Sequence, residues 1–251
     1  MDWEADVSMR PIAVVRNGFP EKFGVPRQSG LIGAEAEIVF RPDVPFESFR
    51  EIEEFSHLWI IWQFHQVTEE QTRWRVRPPR LGGNTFRGVF STRAPFRPNR
   101  LGLSVVELMA VETDRLRVRG LDVVDGTPVF DVKPYLAFCE AIPGAKGGFA
   151  DEAPVPLVVE VAEEVKSVIS SEKLAVIREI LALDARPAYH EDPERVYESR
   201  AEGFVLRWRV AEGGKVQLLE ATKGLNVEAN LSRFESPAEL PNPKKGEAGS
   251  D

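Results

Sequence analysis

Between residues 11 and 132 the apolar side chains fall into short runs of β-forming residues divided by turn signals, and this pattern restricts the fold more than any other feature. Residues 11–16 (PIAVVR) and 34–40 (AEAEIVF) are two such runs, and residues 102–112, 115–121 and 128–132 are three more. The longest apolar run, LWIIWQF at 58–64, has strand length and reads as a strand buried on both faces. It is far short of the ~20 residues of a membrane helix. Residues 46–54 (FESFREIEE) repeat apolar residues at every third position and predict one short helix. Many strands and few helices point to a closed or nearly closed antiparallel barrel rather than a doubly wound sheet.

The texture changes at residues 141–156, where Gly and Pro recur without periodicity and read as a linker. Beyond it, residues 162–183 carry an amphipathic helical pattern, interrupted near Ser170 and Ser171. Phe204, Leu206, Trp208 and Val210 then alternate, Gly213 and Gly214 supply a turn, and Val216 and Leu218 resume, which predicts a hairpin. The expected organisation is a mainly β chain: a barrel over residues 8–143, a small separate α+β domain over 157–235 and a disordered tail over 236–251.

The charge is distributed unevenly. The 251-residue chain has a formal charge of −8, yet residues 71–100 hold eight arginines and no lysine, Asp or Glu, which leaves −16 on the remainder. A stretch of this kind, in a chain with 40 carboxylates, implies a surface matched to an anionic partner. Arginine without lysine favours planar, bidentate recognition of phosphate or carboxylate. The single cysteine, Cys139, excludes an internal disulfide and fits a reducing cytoplasm, and with only three histidines no metal site is expected. The opening MDWEADVSMR lacks the basic and apolar regions of a secretory signal. No GxGxxG follows a strand, and no GxxxxGK[ST] or GxSxG occurs, so neither a Rossmann site, a P-loop nor a nucleophile elbow is supported.

Three stretches carry polar groups that a fold alone does not require. GVPRQSG (24–30) places Arg27 and Gln28 in a turn-rich loop. GVFSTRAPFRPNRLGLS (88–104) is an arginine- and proline-rich segment. LDVVDGTPVFDVKPY (121–135) reads as strand, Asp-Gly turn and strand, so Asp125 and Gly126 have a hairpin role available. Strand parity puts Thr127, Asp131 and Lys133 on one face. His65 closes the apolar run at 58–64, where either a hydrogen-bonded rim histidine or a base would fit.

Taken in order, PRQ (26–28), EEFSHLWIIWQFHQ (53–66), VRPPRLGGN (76–84), GVFSTRAPFRPNRLGLS and LDVVDGTPVFDVKPYLAF (121–138) resemble the TsaA/TrmO-like proteins. LDARPAYHED (183–192) is similar to the DPRPAY element of their bacterial C-terminal domain, with Ala185 in place of Pro. The resemblance implies a single-sheet β-barrel methyltransferase. It would use S-adenosylmethionine to methylate N6 of N6-threonylcarbamoyladenosine beside the tRNA anticodon, as a cytoplasmic homodimer with the cofactor near the subunit interface. It further implies a cofactor site of Pro26, Arg27, Gln28, His65, Gln66, Arg93, Leu103, Asp125, Gly126, Thr127 and Pro128. An amide-like target nitrogen calls for a base, and His65, Asp131 and Tyr135 stand as unranked candidates. Arg75, Arg77, Arg80, Arg97, Asn99 and Arg100 would meet the RNA, with Phe96 a possible stacking surface. Two other readings remain open: an RNA-binding module with a vestigial cofactor pocket, and a methyltransferase of a small anionic metabolite.

Overall fold

The computed structural model describes residues 7–184, 186 and 192–224. Twelve strands form in chain order: β1 (Ala13–Asn17), β2 (Glu35–Phe40), β3 (His57–Gln63), β4 (Arg75–Val76), β5 (Arg87–Gly88), β6 (Leu101–Val111), β7 (Arg115–Arg119), β8 (Pro128–Pro134), β9 (Val159–Val161), β10 (Tyr197–Ala201), β11 (Phe204–Ala211) and β12 (Lys215–Lys223). Six of them close an antiparallel barrel in the order β1-β2-β7-β6-β3-β8, as the strand-rich pattern led us to expect. Alternate residues point inward from each strand. Val15, Ile38, Leu58, Ile60, Val106, Leu116, Val118 and Val129 are each almost fully buried in one core. The short hairpin β4–β5 stands outside the barrel as a separate two-stranded sheet between β3 and β6.

Several local expectations fail for identifiable reasons. Residues 58–64 are not buried on both faces. Leu58, Ile60 and Trp62 enter the core, while Trp59 and Ile61 face outward and stay half-buried. The short helix over 46–54 is instead two 3₁₀ turns, Phe46–Phe49 and Ile52–Glu54, separated by Glu51 in the left-handed region at φ 65°. The Asp125–Gly126 turn joins no hairpin. Residues 121–124 form no strand, and β8 pairs with β1 and β3, whose backbones are the partners that closing the barrel requires. A bulge breaks the shared face of Thr127 and Asp131. Trp62 pairs with Val129 and Ile61 with Asp131, which leaves Phe130 as the extra residue. Thr127 and Val129 therefore point inward, and Asp131 and Lys133 outward.

The C-terminal unit is a four-stranded sheet in the order β10-β11-β12-β9, with β9 parallel to β12. A one-turn helix α1 (Ala137–Glu140) follows the barrel, and α2 (Glu163–Val168) and α3 (Ser171–Ala182) cover this second sheet. The helical pattern does break at Ser170, and Gly213 and Gly214, at φ 81° and 77°, make the expected hairpin turn. The unit draws part of its core from the first part of the chain. Its core of Trp208, Leu206, Ile177, Leu181 and Leu218 takes in Phe19, Ile32 and Ala34 from the β1–β2 connection. Phe23 stacks on Trp208 at 6.1 Å between ring centroids. The tail over 236–251 lies outside the described residues, as does most of the 183–192 element. Among the described residues no helix is long and apolar enough to cross a membrane.

One glycine fixes how β3 packs on β6. Gly102 lies opposite Trp62, and a Cβ there would fall 2.3 Å from the indole. Gly102→Val is expected to cost about 1–3 kcal/mol, the usual range for overpacking a filled site. A fall in the urea midpoint measures it, and an unchanged midpoint would show that the indole can move aside.

Candidate functional site

The antiparallel pairing brings four sequence-distant stretches to one rim of the barrel. β1 and β3 end there at Asn17 and Gln63, and β6 and β8 begin there at Leu101 and Pro128. The PRQ loop leaves β1 at this rim, and the segment bearing Arg93 enters β6 at it.

The Asp125–Pro128 turn is welded to the end of β1. Asn17 N–H donates to Asp125 Oδ1 at 3.1 Å, the Asn17 side-chain amide donates to the Val123 carbonyl at 2.8 Å, and Arg16 lies 3.7 Å from Asp125 Oδ2. Gly126 N–H donates to the Val15 carbonyl, and the Thr127 hydroxyl to the Val124 carbonyl at 2.6 Å. Thr127 is buried, and Pro128 pairs with Val14. His65 and Gln66 follow β3 on the same rim, where the Lys22 ammonium donates to the Gln66 carbonyl at 3.0 Å. Loss of hydration among its neighbours and then the Lys22 charge lower the His65 pKa below the ordinary histidine value, with Asp125 pulling the other way. The ring is therefore neutral near pH 7, with one nitrogen able to accept a proton.

The PRQ loop is held from both sides. Pro26 is buried, and the Arg27 guanidinium reaches the Asp184 and Arg186 carbonyls, each at 3.4 Å. The Glu179 carboxylate on α3 takes the Gly33 N–H at 2.6 Å. On the barrel side Arg93 donates to Gln28 Oε1 at 2.5 Å. Asp122, absent from the sequence-based set, sits behind this pair. It accepts from the buried Ser104 hydroxyl at 2.5 Å, and Ser104 in turn accepts from the Trp62 indole at 2.9 Å. Burial raises the Asp122 pKa, opposed by the Ser104 hydrogen bond, the Arg93 charge and the Ser29 N–H. Asp122 thus joins Ser104 and the Trp62 indole in one hydrogen-bonded chain at the barrel wall. The signal in the sequence was a carboxylate between the apolar Leu121 and Val123, hidden by the hairpin reading of that stretch.

Other candidates lie elsewhere. Leu103 and Asp131 both flank Ile61 on the outer wall, where Leu103 is 54% exposed. Tyr135 N–H donates to the His57 carbonyl at the far end of β3, and its ring packs near His57 and Trp59. Seven strand residues, roughly 20 Å at the usual rise, separate it from the His65 rim. Within one chain His65, Asp131 and Tyr135 do not converge.

The arginines divide as well. On β7, Arg115, Arg117 and Arg119 are matched by Glu37, Glu35 and Glu107 on neighbouring strands at 2.8–3.3 Å. Among the described residues, no arginine of 71–100 makes an ion pair within 4 Å. Arg75 and Arg77 are exposed on the β4–β5 hairpin, Arg80 donates to the Glu152 carbonyl, and Asn99 is exposed. Arg100, half-buried at φ 51°, turns its charge toward Glu70. Arg97 is half-buried and donates to the Thr92 and Ala94 carbonyls at 3.2 and 3.4 Å. It braces its own turn.

Comparison with known proteins bears on this arrangement directly. The family model of the tRNA-methyltransferase O N-terminal domain matches residues 14–141, and that of the TrmO C-terminal domain matches residues 154–223. The chain belongs to the TrmO family. It is 44% identical over 218 residues to the tRNA (adenine(37)-N6)-methyltransferase of Escherichia coli, covering 81% of this chain and 93% of that protein. A crystal structure of TrmO from Pseudomonas aeruginosa superposes with a TM-score of 0.73 at 30% identity, over 87% of this chain and all of that one. A probable S-adenosyl-L-methionine-binding protein of Methanothermobacter thermautotrophicus is 41% identical over 132 residues, 53% of this chain and 92% of that protein.

Arg93 donates to Gln28 Oε1, so these two residues are coupled. Gln28→Ala is expected to weaken S-adenosylmethionine binding about tenfold, the order of losing one charge-assisted hydrogen bond. Arg93→Ala in the same chain should add little to that loss. Additive losses in a titration calorimeter would separate the two roles.

Proposed function

We propose that this TrmO-family chain transfers the methyl group of S-adenosylmethionine to N6 of N6-threonylcarbamoyladenosine, the modified adenosine beside the anticodon of tRNA. The observation that supports this most is the gathering of the PRQ loop, Arg93, His65–Gln66 and the Asp125–Pro128 turn on one rim, next to a hairpin of arginines without carboxylates.

The rim residues suit the cofactor's chemistry. Arg93 and Arg27 are forked donors for a carboxylate, Gln28 and Gln66 bring amides, and the Asp125–Pro128 turn lies ready for the polar edge of a base or amino acid. When bound, S-adenosylmethionine supplies a methyl group activated by its positive sulfur. The reaction breaks the carbon–sulfur bond, forms the bond from N6 to carbon, and releases the N6 proton. The protein's share is positioning along the line of displacement. His65, neutral at pH 7 and on the rim, is the chain's best-placed acceptor for that proton. The hydrogen bond from Arg93 to Gln28 holds the PRQ loop to the barrel side of the rim.

The outer wall bearing Trp59, Ile61 and Leu103, with exposed Leu136 and Phe138 beside it, fits a second copy of the chain. A homodimer would carry Leu103 and Asp131 of one copy toward the other's rim, and this is how those residues join the site. The barrel over residues 8–143 is then the catalytic domain. The domain over 157–235 braces the cofactor loop, and the protein acts in the cytoplasm.

Incubation with labelled cofactor and bulk tRNA tests the reading, with nucleosides resolved by mass spectrometry. Methyl label is expected on threonylcarbamoyladenosine and absent from tRNA lacking that modification. Equal labelling of both would sink the substrate assignment, and no cofactor binding would leave an RNA-binding module. Sedimentation at micromolar concentration should give the dimer mass; a monomer would remove the role given to Leu103.

A further inference from the structure

The β4–β5 hairpin exposes aromatic surface that the barrel fold does not use. Trp74 is 67% and Phe90 71% exposed, and their rings meet edge to face at 6.3 Å. The pair is held by the backbone. Val89 N–H donates to the Trp74 carbonyl at 3.0 Å, and Val76 and Val89 are buried beneath. Beside it, the guanidinium groups of Arg75 and Arg77 lie over the Phe86 ring at 4.7 and 4.3 Å. The two aromatics are therefore firmly anchored, largely open to solvent, and flanked by cations without carboxylate partners.

We propose that Trp74 and Phe90 form a stacking platform for unpaired bases of an RNA loop, with Arg75 and Arg77 holding the adjoining phosphates. The proposal rests on the chain acting on tRNA, and adds which surface receives the loop and by what physics. Charge decides against a second copy as occupant. An isologous contact would set the same carboxylate-free arginine strip against itself, whereas a polyanion neutralises it. Duplex RNA is also a poor occupant, because its bases are already stacked on each other and only splayed bases offer a free face.

The experiment uses the full chain with two synthetic probes, an anticodon stem-loop RNA and a blunt duplex of matching length, each titrated at several salt concentrations. Trp74→Ala and Phe90→Ala should each weaken stem-loop binding about tenfold, leaving duplex binding and the salt slope unchanged. Trp74→Tyr should restore most of the affinity. Arg77→Ala should instead lower the salt slope by about 0.7 on the stem-loop, the value for one phosphate contact on a single strand. Unchanged binding of labelled S-adenosylmethionine by each variant shows that the fold and rim are intact. The platform is overturned if both alanine variants bind the stem-loop like the wild type. It is also overturned if their loss coincides with a change in sedimentation, which assigns the surface to a subunit contact. Wild type that binds the stem-loop with these variant effects but never methylates tRNA would fail the functional reading and leave the platform standing. Wild type that binds neither RNA would fail both.

Discussion

Barrel closure between β8 and β1 is the constraint on which the rest of the molecule depends. Two pairs, Ala13–Val129 and Val14–Pro128, complete the cylinder. The Asp125 carboxylate, shared between the Asn17 amide and the Arg16 guanidinium, locks the approach to them. A chain that instead folded residues 121–135 into a local hairpin would leave β1 with an open edge and a row of unpaired backbone groups. Closure satisfies those groups, and it also carries a turn distant in sequence to within reach of the PRQ loop.

That loop is then shared by two cores. Phe19, Ile32 and Ala34 leave the barrel and pack with Trp208 and Leu206, and Glu179 holds the Gly33 N–H. The Asp122–Ser104–Trp62 chain grips the same region from the barrel side. A loop fixed from both directions has little freedom left to lose on binding a ligand, which is one way of limiting the entropic cost of association.

Much of the site was legible because its signals are local. PRQ, HQ and DGTP are contiguous, and an arginine run without carboxylates needs no fold to be noticed. What misled were patterns whose meaning depends on partners. Alternation cannot reveal the bulge at Phe130, and without that bulge Thr127 and Asp131 would share a face. Asp-Gly between apolar residues predicts a hairpin only when the flanking strands have no better partner, and here β1 and β3 were better. Composition does not distinguish Arg97 from Arg75 and Arg77, whereas the turn around Arg97 offers its guanidinium two carbonyls.

The sequence by itself determined the strand-rich barrel, the helical break at Ser170, the placing of the positive charge and the motifs that gather at the rim. These follow from periodicity, turn chemistry and composition, which act over a few residues at a time. It took the closed fold to show that Asp122 accepts from the buried Ser104 hydroxyl, that Tyr135 stands a strand's length from His65, and that the C-terminal core takes in the β1–β2 connection. The same fold also separated the β7 arginines, neutralised by carboxylates on adjacent strands, from those on the hairpin, which face none. Burial and charge pairing belong to pairs of residues far apart in the chain, and such pairs exist only once the backbone has closed.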